Sequence, residues 1–228
     1  MSYLSENLNE IESRIQSSCE RCNRRRSDVL LIAVSKTKPL QLLEEAYRNG
    51  IRDFGENRIQ EMSQKAEQLP EDIRWHMIGH LQKNKVKAAV KHAHIIHSVD
   101  SLELAKVISS EAVKQSKTVR ILLEINVAGE ESKFGYSPSG VLTDLSLIAA
   151  LPNIKIEGLM TIAPYTSDPE SNRTYFEQLK QLSVDINNKN IDNVSMNILS
   201  MGMSGDFEVA IEEGATMVRV GTSIFGER

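Results

Sequence analysis

Two cysteines, Cys19 and Cys22, are all that this chain contains. Their Cys-x-x-Cys spacing invites zinc or redox chemistry, but structural zinc takes about four ligands and there is no second pair. A redox pair opens a helix behind a strand, where the helix dipole lowers a thiol pKa. This pair stands near the end of a helical segment and reads as two small apolar residues on one helix face. Long apolar runs are also missing: none approaches the roughly 20 residues of a membrane-spanning helix. The first residues, Met1-Ser2-Tyr3-Leu4-Ser5-Glu6, have no basic region followed by an apolar core, so a secretory signal is not expected and a cytoplasmic location is. Positive charge is not in excess either. The net charge of −4 gives no reason to expect nucleic acid or an anionic membrane as partner. There is no internal repeat, low-complexity segment or interdomain linker, and residues 1–228 read as a single domain.

What is present is an ordinary globular composition, 40% hydrophobic and 25% charged over 228 residues, long enough to bury a full core. Leu4, Leu8, Ile11, Ile15, Cys19 and Cys22 recur every three or four residues and predict an amphipathic helix from about Ser2 to Asn23. Arg21, Arg24, Arg25 and Arg26 crowd its end, as a solvated helix C-terminus or as an anion-binding patch. Beyond it the chain alternates. Strand-like runs are Val29–Ser35, Ile51–Gly55, Ile73–Ile78, His94–Val99, Thr118–Val127, Ile154–Met160, Val194–Leu199 and Thr216–Val220. The helical patterns between them are Leu40–Asn49, Ile59–Leu69, Gln82–Lys91, Ser101–Ser116, Pro138–Leu151, Asp168–Ile186 and Ser204–Glu213. Eight strands alternating with helices predict a parallel sheet, and eight is the number that closes a (β/α)8 TIM barrel, here with an extra N-terminal helix. An open doubly wound sheet is the alternative; the lack of a G-x-G-x-x-G turn after the first strand weighs against its dinucleotide-binding form.

Lys36 follows directly on the first apolar run, which places an amine at the rim of the sheet, where α/β proteins hold ligands. An amine there can form a Schiff base if it loses its proton, which partial burial beside other cations favours; otherwise it is a solvated lysine at a strand end. Near the far end of the chain, Ser200-Met201-Gly202-Met203-Ser204-Gly205 and Arg219-Val220-Gly221-Thr222 look like an anion cradle, with Ser204 opening a helix and Gly221 allowing close backbone approach. Two ordinary Gly/Ser turns are the plain alternative. An amine at one end and a phosphate-sized cradle at the other point to an aldehyde carrying a phosphate, such as pyridoxal phosphate. Arg219, two residues before the cradle, is placed to point inward; as a donor-only group it cannot take a proton from a pyridine nitrogen. His76 and His80, and His92, His94 and His97, lie close in sequence without a metal-binding spacing.

Several blocks in one order carry a resemblance to a known family. They are Leu31-Ile32-Ala33-Val34-Ser35-Lys36-Thr37-Lys38, Phe54-Gly55-Glu56-Asn57-Arg58-Ile59-Gln60-Glu61, Trp75-His76-Met77-Ile78-Gly79-His80-Leu81-Gln82-Lys83-Asn84-Lys85, Gly158-Leu159-Met160-Thr161-Ile162, Leu199-Ser200-Met201-Gly202-Met203-Ser204 and Val218-Arg219-Val220-Gly221-Thr222-Ser223-Ile224-Phe225-Gly226. From Leu30 to Arg228 the chain resembles the pyridoxal-phosphate homeostasis proteins, whose fold is the N-terminal barrel of alanine racemase. The resemblance implies that Lys36 is the Schiff-base lysine. It places Ser204, Gly221 and Thr222 on the phosphate with Ser200 nearby, Arg219 opposite the pyridine nitrogen, and Asn57 close to the cofactor. It implies a part in vitamin B6 and amino-acid balance without established turnover, with apo pyridoxal-phosphate enzymes as possible recipients and a monomer as the expected state. The tail Gly226-Glu227-Arg228 is shorter than in relatives. A racemase-like enzyme is the alternative, for which Tyr136 and Tyr165 are the local acid/base candidates. A cofactor-free barrel acting on phosphorylated sugars is a third reading.

Overall fold

In the computed structural model, residues 2–226 are described; Glu227 and Arg228 of the short tail lie outside them. The chain opens with α1 (Tyr3–Arg21), which starts where the Ser2 hydroxyl accepts the N–H of Ser5 and buries Leu4, Leu8, Ile11, Ile15 and Cys19. Its stripe follows the 3.6-residue period, so one face is apolar throughout. Eight strands follow: β1 (Leu30–Val34), β2 (Asp53–Glu56), β3 (Arg74–Met77), β4 (Ile95–Val99), β5 (Val119–Glu124), β6 (Ile154–Met160), β7 (Val194–Met203) and β8 (Met217–Val220). They alternate with α2 (Leu40–Arg48), α3 (Ile59–Ala66), α4 (Val86–His92), α5 (Leu102–Lys114), α6 (Gly140–Ala149), α7 (Arg173–Asn187) and α8 (Phe207–Glu212). A short α9 (Thr222–Phe225) comes last. The strands form one closed parallel barrel in sequence order. β8 closes onto β1 with Leu30 opposite Met217 and Ile32 opposite Arg219.

The two faces of each strand go to different cores, as the alternation of a pleated strand requires. Inside the barrel, Ile32, Ile95, Leu122, Met160, Ile198 and Met217 make one apolar layer. Outside it, residues such as Ala33, Phe54, Ile96, Ile121, Leu159 and Val218 pack against the helices. Ile15 is fully buried there, and cutting such a side chain to alanine costs roughly 2–5 kcal/mol.

Two sequence expectations are corrected. The helix expected to open at Ser204 starts at Phe207, because Met203 and Asp206 close a turn first: Met203 N–H donates to Asp206 Oδ1 at 2.7 Å and Asp206 N–H to Met203 O at 3.1 Å. Strand β7 runs on to Met203, with Gly202 at φ +89, a left-handed geometry that glycine adopts at no steric cost. The arginines at the end of α1 make a solvated helix end, as one reading expected, with Arg21 and Arg25 exposed and each side chain held by a partner. Arg21 pairs with Glu212 at 2.7 Å, Arg24 donates to Ile211 O at 2.7 Å, Arg25 pairs with Asp28 at 2.9 Å, and Arg26 pairs with Glu12 at 2.6 Å. Arg14–Glu208 at 2.9 Å, Arg21–Glu212 and Arg24–Ile211 O fasten α1 and the turn after it to α8. Cys19 is fully buried, where desolvation pushes its thiol up, and both cysteines are free.

Candidate functional site

The C-terminal ends of β7, β8, β1 and β2 are consecutive around the barrel and carry the residues singled out by sequence. Lys36 stands two residues past β1, half-buried, and its amine has no hydrogen bond or ion pair among the described residues. Lys38 is tied down: its Nζ donates to Gly226 O at 2.8 Å and Phe225 O at 3.3 Å. The intervening Thr37 sits at φ +63, unusual for a β-branched residue. Its N–H donates to Glu61 Oε1 at 2.6 Å. Below this turn lies a buried ion cluster. Lys65 Nζ reaches Glu56 Oε1 at 2.7 Å, Glu61 Oε1 at 2.6 Å and Ser35 O at 2.8 Å, while Ser35 Oγ donates to Glu56 Oε1 at 2.6 Å. Burial pushes the Glu56 carboxyl up although Lys65 and Ser35 bond to it.

Asn57 follows β2 at the level of Lys36, since Val34 pairs with Gly55. It lines a cavity of about 250 Å³ with Arg58, Met77, His80 and Lys85. A Cβ on Gly79 would lie 2.5 Å from Asn57 O, so glycine there lets the β2 and β3 loops touch.

On the other side of β1, Gly221 packs on the last residue of that strand: an added Cβ would lie 3.1 Å from Val34 O. The Gly221 N–H donates to Ser204 Oγ at 3.2 Å, which joins the two loops of the expected cradle. Gly221 is also the N-cap of α9, whose first N–H groups, at Thr222 and Ser223, have no carbonyl partner within the helix. Thr222 is exposed and Ser204 partly so. The N-terminal end of α9 therefore faces the cradle that sequence had assigned to the helix after Ser204.

Arg219 is 3% exposed and points into the barrel, where Nη2 donates to Thr161 O at 2.7 Å and Nη1 to Ser200 Oγ at 2.6 Å. Desolvation brings its guanidinium down to about 10, which leaves it charged at neutral pH. Ser200, expected near the phosphate, is fully buried behind Arg219 with its hydroxyl also 2.9 Å from His97 Nδ1. His97 Nε2 lies 2.9 Å from His76 Nδ1, and His76 Nε2 lies 3.0 Å from Asp53 Oδ1. Burial drives His97 well below its ordinary value; it also lowers His76 against the opposing pull of Asp53. Burial alone would raise Asp53, but the bonds from His76 and Arg74 leave it lowered to about 2. Glu124, at the end of β5, is 7% exposed and its Oε2 has no partner. Desolvation, then the charge of Asp100, push it up to about 7 against the pull of Arg219.

Other candidates fall away from this centre. His80 lies in the loop beyond β3 rather than on its face, stacked on Phe134 at 3.7 Å and 3.2 Å from Asp100. Tyr136 is buried, its hydroxyl donating to Asp144 at 3.2 Å, and Tyr165 is fully exposed. Among the described residues no three His, Cys, Asp or Glu side chains are grouped to hold a metal ion, and no helix is long and apolar enough to cross a membrane.

A parallel barrel with an unpartnered lysine, a buried arginine and a Ser/Gly/Thr loop junction at the C-terminal ends of its strands defines a class of cofactor-binding barrels. The family described as alanine racemase, N-terminal domain, matches residues 7–228. Pyridoxal phosphate homeostasis proteins are 45% identical in Aquifex aeolicus, with 98% of this chain and 97% of that one covered, and 38% identical in Pseudomonas aeruginosa, with 100% and 97% covered. The structure of PipY from Synechococcus elongatus with PLP bound is 35% identical, with a TM-score of 0.85 over 98% of this chain and all of that one. Alanine racemase of Clostridium difficile shares the fold at 17% identity and a TM-score of 0.76, this chain spanning 56% of it. The chain belongs to the alanine racemase N-terminal-domain family, in the branch of the pyridoxal phosphate homeostasis proteins.

Proposed function

We propose that the chain, acting as one domain over residues 1–228, binds pyridoxal 5'-phosphate as a Schiff base on Lys36 and takes part in vitamin B6 and amino-acid homeostasis as a carrier. The observation that carries this reading is the juxtaposition of the Lys36 amine with the Ser204–Gly221 junction on the adjoining ends of β1, β8 and β7. The donor set fits the cofactor. An unpartnered amine suits an aldehyde. A hydroxyl at Thr222, another at Ser204 and the N–H groups of α9 suit a phosphate. Gly221 packs so closely on Val34 that a side chain there would press on the end of β1. Arg219 supplies a fixed cation to the ring nitrogen, Asn57 flanks the ring, and Ser200 braces Arg219 from behind.

Pyridoxal phosphate, when bound, offers an electron-withdrawing ring, and its power depends on whether the ring nitrogen holds a proton. Arg219 can donate there but cannot accept, so it favours an unprotonated nitrogen and a weak electron sink. Tyr136 is engaged with Asp144, away from acid/base duty. Both features support holding the cofactor over turning substrate over, with apo pyridoxal-phosphate enzymes as recipients, in the cytoplasm and as a monomer. Borohydride reduction with cofactor present, followed by peptide mapping, tests the reading. The label is expected on the Lys36 peptide, and Lys36→Ala is expected to lose the visible absorption band. Labelling at Lys38 or Lys133 instead would refute the assignment. Rapid Lys36-dependent loss of deuterium from the alpha carbon of any common amino acid would replace the carrier by a racemase-like enzyme.

A further inference from the structure

The row Arg219–Ser200–His97–His76–Asp53 joins β8, β7, β4, β3 and β2 through consecutive contacts of 2.6, 2.9, 2.9 and 3.0 Å. Its members are all less than about a twentieth exposed, so each hydrogen must find its acceptor within the protein. The two ends fix the direction. Arginine has donors and no acceptor, while an ionised aspartate has acceptors and no donor. Arg219 therefore donates to Ser200 Oγ, and the serine proton must go onward to His97 Nδ1. His97 is then protonated on Nε2 and donates to His76 Nδ1. His76 is in turn protonated on Nε2 and donates to Asp53 Oδ1, which Arg74 Nε also supplies at 2.8 Å. The opposite tautomer of His97 would turn its N–H toward Ser200, whose own proton would then face a donor-only guanidinium. No second arrangement satisfies every atom. The row begins at the C-terminal mouth and ends at Asp53 and Arg74, which line a cavity of about 480 Å³ at the other end of the barrel.

We propose that Ser200, His97, His76 and Asp53 are positioning residues that form a one-directional hydrogen-bond wire, holding Arg219 as a fixed charged donor toward the pyridine nitrogen of bound pyridoxal phosphate. The assignment of the ring to Arg219 rests on the function proposed above; the direction of the wire does not. With Ser200 and Thr161 O taking one N–H from each of its terminal nitrogens, the guanidinium plane is pinned. A histidine is used at the middle of the row because one imidazole accepts on one nitrogen and donates on the other.

Two measurements on the full-length protein test this. Long-range nitrogen–proton NMR of the cofactor-free protein is expected to give His76 and His97 as neutral Nε2–H tautomers from about pH 5 to about pH 8. A protonated ring or an Nδ1–H tautomer at His97 overturns the wire. The second compares His97→Gln with His97→Leu, which have similar volume. An amide carries an acceptor and a donor as imidazole does, and leucine carries neither. His97→Leu is expected to shift the absorption maximum of the bound cofactor and to weaken its binding roughly tenfold, while His97→Gln stays within about threefold of the parent. Thermal midpoints of both variants separate this from unfolding. Equal spectra and affinities for the two variants would show a space-filling histidine and refute the inference. Absence of cofactor binding by the parent protein would instead refute the function reading and the assignment of the ring to Arg219, while the tautomers alone decide the direction of the wire.

Discussion

Beneath Lys36 the polar groups are ions gathered at one corner of the barrel: Glu56, Glu61 and Lys65 on β2 and α3, with Ser35 bonded to Glu56 and Lys65. Beneath Arg219 the intervening groups are neutral, two histidines and a serine, strung across the barrel to a single carboxylate. The first arrangement fixes a piece of main chain, since Lys65 holds Ser35 O and Glu61 holds Thr37 N–H on either side of Lys36. The second fixes one side chain. Coulomb attraction is non-directional and strong at short range, which suits a turn that must be clamped but not aimed. Hydrogen-bond polarity is weak per link but directional, which suits a guanidinium that must be aimed.

Removing one ion from the cluster is the most damaging of the changes considered for these two networks. Lys65→Met leaves Glu56 buried without its cation, and such losses cost about 3–5 kcal/mol. Urea unfolding of the variant should show that loss, growing as pH rises and Glu56 ionises. Equal stability of variant and parent at neutral pH would mean that the cluster holds nothing. Next in size is the anionic end of the wire. Asp53 has a folded value of about 2 against an ordinary 3.8, and each unit is about 1.4 kcal/mol, so Asp53→Asn should cost about 2 kcal/mol at neutral pH. Because the folded value is depressed, that contribution is full above the ordinary value and fades as pH falls through about 2. A cost that stayed constant across that acid range would locate the effect in packing instead. Glu124 belongs to neither network and should respond in the opposite sense. Its carboxyl stands at about 7 rather than 4.5, so the penalty for ionising it in the fold is absent below 4.5 and complete above 7. Glu124→Gln is therefore expected to stabilise the cofactor-free protein by about 1–2 kcal/mol at alkaline pH and to be neutral near pH 4; the buried amide limits the gain. Thermal unfolding across pH reads this directly, and destabilisation at alkaline pH would contradict it.

The barrel was legible because its strands are apolar runs separated by helical periods, and all eight fall within a few residues of where alternation puts them. Lys36 and Gly221 were legible because strand ends are local features. The start of α8 was not, because Asp206 diverts Ser204 and Gly205 into a turn, and α9 is too short to show a period. The ion cluster left one readable trace: Lys65 stands three residues after Met62 on the buried stripe of α3, where a lysine needs a partner. The wire left none that a single strand could reveal. His76 and His97 could be seen as near neighbours in sequence, but their common partner line with Ser200, Arg219 and Asp53 depends on the register of five strands and the tilt of a closed barrel.

The closure of β8 onto β1 sets Lys36 beside Gly221 and Arg219, residues from nearly opposite ends of the chain. No folding intermediate that lacks the last strand can contain this site, and such non-local pairings form late. A nascent chain whose last strand is still unmade therefore lacks the pairing of amine and loop junction proposed for the cofactor. Ligand that recognises only the closed barrel then acts by mass action as a bolt on its final seam, adding to stability with the logarithm of its concentration.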